Sequence, residues 1–97
     1  MLGVDQEGKA RNERLMGMLN DPIVQDICSS VYAHAVVEDE SMITDDLHER
    51  IGVIMSEAVR VSYRLSKEIG LDRNLFTHSI QKLMDIEDSV YRKSVYN

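Results

Sequence analysis

The sequence predicts an all-α protein, a small antiparallel bundle of about four helices, and three observations predict it. No stretch alternates apolar and polar residues over more than a few positions, as a half-buried strand would. Breaking residues are scarce, with five glycines and one proline in 97 residues. Leu47, Ile51, Ile54, Ala58, Val61 and Leu65 recur at alternating spacings of four and three, the seam of two helices lying nearly side by side.

The first helix is expected over about 6–19. Its apolar residues, Leu15, Met16, Met18 and Leu19, cluster at its end, and the stretch before Gly8 reads as loose. The second is expected over 22–37, because Asp21 can cap free backbone N–H groups while Pro22 takes the first helical position. Val24, Ile27, Val31 and Ala35 form its apolar line, with Cys28 and Tyr32 beside them. The third is expected over 44–69, after a polar link in which Ser41, Thr44 and Asp45 are possible caps. Gly70 suits the left-handed residue that ends a helix, and Asp72 suits the cap of a fourth over 72–95. Phe76, Ile80, Leu83 and Val90 line that last helix, and short links favour antiparallel neighbours.

The length allows one compact domain, 1–97, with its core in 22–95, and a domain this small is readily completed by a second copy of itself. Leu47, Ile54, Val61, Leu65, Ile80 and Leu83 are the expected shared core. Six methionines read as gap-filling core or interface residues. Tyr91 and Tyr96, near the end of the chain, suit contact with another subunit or with this domain's own core. A homo-oligomer is the expectation.

The formal charge of −6, from 17 acidic against 11 basic residues, repels a phosphate backbone unless the basic residues gather on one face. They are scattered among carboxylates, so nucleic acid is not the expected partner. No apolar run spans a bilayer or resembles a signal peptide. Cys28 is the only cysteine and reads as a small buried apolar residue in a reducing cytoplasm. His34 and Glu38, four apart, are spaced to reach one metal, but two ligands do not make a site, and His48 and His78 lie elsewhere. Glycine-framed serines and phosphate-cradling glycine loops are absent from the sequence, so acyl transfer and P-loop chemistry have no support.

From Leu47 onward the residues Leu47, His48, Ile51 and Gly52, then Glu57 and Ala58, the run LDRN at 71–74, and Leu83 with Asp85 resemble the MazG-like branch of the all-α nucleotide pyrophosphohydrolases. That resemblance implies a Glu-x-x-Glu pair on one helix and a Glu-x-x-Asp pair on the next, holding magnesium against a nucleotide's phosphates. This chain has Glu57-x-x-Arg60 and Lys82-x-x-Asp85 instead. At about 100° per residue, all four side chains fall on one shared flank if the two stripes pack together. Two carboxylates beside two cations pair with each other and need no ion, whereas four clustered carboxylates do.

The expected function is therefore a cytoplasmic, homo-oligomeric binding or accessory protein with a MazG-like core and no intact magnesium site. Glu57, Arg60, Lys82 and Asp85 are the candidate ligand-binding residues, with a nucleotide or a protein as partner, no catalytic residue and no cofactor. Arg60 and Lys82 can grip phosphates without a metal. Two readings compete: a magnesium-dependent nucleoside triphosphate pyrophosphohydrolase, with ligands relocated to Asp85, Glu87 and Asp88, and a helical protein–protein interaction module without a ligand.

Overall fold

The structure, a computed structural model, describes the backbone of residues 2–96 and the side chains of residues 8–91. Four α-helices follow one another: α1 (Leu2–Leu19), α2 (Pro22–Glu38), α3 (Leu47–Glu68) and α4 (Arg73–Tyr96), with one 3-10 turn at Glu40–Met42 between α2 and α3. The described residues contain no strand. The all-α class follows directly. By internal contacts the chain divides into two compact units, Met1–Ala58 and Val59–Asn97.

In the first unit, α1 starts at Leu2, ahead of its expected beginning, so the stretch before Gly8 that reads as loose is helical from residue 2. The α1–α2 corner is closed by local chemistry. The Asp21 carboxylate accepts from Ile23 N at 2.8 Å and Val24 N at 3.4 Å, and the Gln25 side-chain amide donates back to Leu19 O at 2.7 Å. These bonds satisfy backbone groups that the two helix ends leave without intrahelical partners. On α2 the inward line is Val24, Cys28, Val31 and Ala35. Ile27, expected there, is 57% exposed. Ala35 is the one buried apolar residue among those described.

The link to α3 is tied down by a tyrosine. The Tyr32 hydroxyl accepts from Thr44 N at 2.9 Å and donates toward Thr44 O at 3.3 Å, while the Arg50 guanidinium stands 5.3 Å over its ring and donates through Nε to Thr44 O at 2.6 Å. The cap of α3 is Asp46, which accepts from Glu49 N at 2.9 Å. None of the three expected caps takes that role. Thr44 donates to Glu49, Asp45 meets Arg50, and Ser41 donates to Asp39. Removing the hydroxyl alone, in Tyr32→Phe, leaves the part-buried Thr44 N–H without its acceptor, which costs about 1–3 kcal/mol. Chemical denaturation should register that loss with little change in helix content.

In the second unit, α3 ends on a Schellman turn. Gly70 has φ of 81°, its N–H donates to Lys67 O, and Leu71 N donates to Ser66 O at 2.9 Å. Asp72 then caps α4, as its position predicts, by accepting from Asn74 N at 2.5 Å. A Cβ at position 70 would meet nothing within 4 Å, so Gly70→Ala should cost about 1–2 kcal/mol through backbone strain alone. A denaturation midpoint measured against the natural chain checks this value.

The second unit's helices meet through Tyr63 of α3 and Phe76 of α4, whose rings lie 5.2 Å apart at 59°. Val61, Tyr63, Phe76 and Ile80 are half-buried. Leu65 and Leu83, assigned to the shared core by spacing, are instead 61% and 59% exposed. Every described residue of α4 from Gln81 onward is exposed.

Candidate functional site

The four sequence-predicted residues fall in different units. Glu57 belongs to the first, and Arg60, Lys82 and Asp85 belong to the second. Glu57 is 2% exposed, although it was expected on a charged flank beside an apolar stripe in which Ala58 faced inward. Here Ala58 is exposed and Glu57 takes the inward place between Ile54 and Val61. A buried carboxylate is costly unless it is hydrogen-bonded. His34 meets that need, with Nδ1 2.5 Å from Glu57 Oε2.

His34 has a second carboxylate at hand. One turn along α2, Glu38 Oε1 lies 3.8 Å from His34 Nε2. One imidazole nitrogen and one oxygen from each glutamate fall within 4.8 Å of one another. The three differ in exposure, with side chains 51% exposed for His34, 31% for Glu38 and 3% for Glu57. The spacing of His34 and Glu38 was readable in the sequence. The third donor, 23 residues further on, is supplied only by folding.

In the second unit, Arg60 lines an open concavity of about 400 Å³ together with Val59, Tyr63, Arg73, Phe76 and Thr77. Arg60 and Tyr63 are one turn apart on α3, and Arg73 and Phe76 are one turn apart on α4. Each helix therefore brings one guanidinium and one ring to the same hollow. Lys67 adds a third cation nearby, its Nζ 5.6 Å from the Tyr63 ring centre. Lys82 and Asp85 are exposed, do not line the hollow, and form no ion pair with each other among the described residues. Arg73 was missed at the sequence level, where it counted only as part of the LDRN turn. The repeated pattern Arg60-x-x-Tyr63 and Arg73-x-x-Phe76 was the available signal, since residues three apart share a helix face.

The first unit also has an apolar hollow of about 270 Å³, lined by Leu19, Cys28, Tyr32, Leu47, Ile51 and Ile54 among others. No described helix is long and apolar enough to cross a membrane. No family model, no curated protein and no solved structure matches the chain.

Proposed function

We propose that the chain is a cytoplasmic, self-associating binding protein whose second unit takes a small phosphate-bearing ligand, a nucleotide by class, without a metal. The observation that carries this reading is the convergence of Arg60 and Arg73 on one concavity beside the Tyr63–Phe76 pair. Two guanidiniums offer planar forks of donors matched to phosphate oxygens, and a guanidinium keeps its charge at any physiological pH. Aromatic faces beside them suit a nucleobase, because stacking on a ring is open to every base. A hollow of a few hundred Å³ is of the size that holds one small molecule.

The MazG-like resemblance enters as part of the same proposal. Arg60 stands where that family's pattern has a second glutamate, and in this reading a metal-holding face has been converted into one that meets phosphates directly. Self-association is supported by the apolar side chains left outside, including Leu75, Leu83, Met84, Ile86 and Val90 of α4, each at least 50% exposed. Exposed apolar groups at helical spacing favour burial against a partner helix. The five described methionines fit that role too, since none is buried. A lone half-buried thiol, Cys28, suits a reducing compartment.

A thermal-shift panel tests the proposal. Nucleoside mono-, di- and triphosphates and pyrophosphate should raise the unfolding midpoint in the presence of EDTA, because a ligand that prefers the folded chain stabilises it by mass action. Unphosphorylated nucleosides should raise it less. Release of pyrophosphate from a nucleoside triphosphate, dependent on magnesium, would instead support the hydrolase reading. A midpoint unmoved by every phosphate compound would reject the binding reading.

A further inference from the structure

His34, Glu38 and Glu57 form the second grouping of chemical interest, and it lies wholly within the first unit, apart from the residues on which the phosphate-binding proposal rests. We propose that these three side chains bind one divalent first-row transition-metal ion, of the zinc, cobalt, nickel or manganese type. Two of the donors, His34 and Glu38, precede the segment that carries the MazG-like resemblance.

The donor set selects the kind of ion. Magnesium and calcium are hard ions that take oxygen ligands almost throughout, whereas one imidazole nitrogen with two carboxylate oxygens suits zinc and its neighbours. Two carboxylates and one imidazole are a donor set whose charge suits a divalent ion. Bonds of about 2.0–2.1 Å place neighbouring ligand atoms roughly 3 Å apart. Donor atoms already within 4.8 Å of one another stand close to that spacing.

The arrangement also resembles a metal site in its supports. Each nitrogen of His34 has a glutamate oxygen near it, Glu57 beside Nδ1 and Glu38 beside Nε2, so whichever nitrogen meets the ion has a carboxylate at hand. Glu57, fixed in the interior at 2% exposure, is the rigid member. His34 and Glu38 reach solvent, so the ion has a path in, and water completes its coordination. Three protein ligands and an open side describe a site that binds reversibly.

The test uses the full chain, treated with chelator and then titrated calorimetrically with zinc chloride, cobalt chloride and magnesium chloride at neutral pH. One zinc or cobalt ion should bind per chain, and magnesium should give no heat at the same concentrations. Bound cobalt should develop visible d–d absorption distinct from that of the aqueous ion. His34→Gln and Glu38→Gln each alter an accessible side chain, so circular dichroism should stay native while zinc affinity falls at least tenfold. Unchanged affinity in both variants would place the ion elsewhere and overturn the proposal. So would the absence of zinc binding by the natural chain at ten times the protein concentration.

Discussion

Leu83→Glu combined with Val90→Glu is expected to abolish self-association of the chain. From Gln81 to Tyr91 no described side chain of α4 is covered, yet Leu83, Ile86 and Val90 repeat at spacings of three and four along one face. A helical stretch of this length is marginal in water when nothing packs on it. Leu83 and Val90 are 59% and 53% exposed, so each has about half of its side chain left to bury. That half contributes on the order of 1 kcal/mol per residue, and a carboxylate in its place adds a desolvation penalty. Together the two changes should weaken a dimer by roughly a hundredfold or more, since each 1.4 kcal/mol is a factor of ten. Sedimentation velocity at micromolar concentrations reads the result. A natural chain that is already a strict monomer there would contradict the self-association reading.

The second large effect is expected at the two arginines. Hydrogen bonds to charged partners contribute about 1.5–3 kcal/mol each, so Arg60→Ala or Arg73→Ala alone should weaken a nucleoside triphosphate by about tenfold or more. The double variant should lose at least a hundredfold. Both residues are exposed and their removal creates no cavity, so circular dichroism without ligand should stay native. Arg73→Lys sharpens the assignment. A lysine keeps the charge but loses the planar fork, so a bidentate contact should weaken while a purely ionic one should not. Lys82→Ala serves as the comparison, because Lys82 does not line the hollow and its loss should leave affinity unchanged.

The elements that local chemistry specifies were legible in the sequence. Asp21 before Pro22, and Gly70 before Asp72, announce a start and a stop because each satisfies particular backbone groups within a few residues. The start of α3 was less legible for the same physical reason. Thr44, Asp45 and Asp46 all carry suitable oxygens, and Arg50 and Glu49 draw the first two into other bonds.

Side-chain placement depends on which faces become covered, and there spacing alone misled. A strict four-and-three repeat puts Ala58 and Leu65 inside, whereas the folded α3 buries Glu57 and Ser66. Ser66 is accommodated by donating to Tyr63 O at 2.7 Å, and Glu57 by meeting His34. Polar residues with internal partners can occupy positions that a hydrophobic pattern reserves for apolar ones. Of the short-range pairs in the candidate chemistry, His34 with Glu38 was read from the sequence, whereas Arg60 with Tyr63 and Arg73 with Phe76 were available there and missed. The rest is the meeting of α2 with α3 in the first unit and of α3 with α4 in the second, and no spacing along the chain encodes it.

Nuclear magnetic resonance titration of the full chain with ATP in EDTA tests the central claim most directly. The phosphate-binding account predicts progressive shifts of the Arg60 and Arg73 side-chain N–H signals and of the Tyr63 and Phe76 rings, saturating with added ligand, while His34 and Glu57 stay unmoved. Signals at Arg60 and Arg73 that remain fixed at millimolar ATP, or shifts confined to other residues, would contradict it.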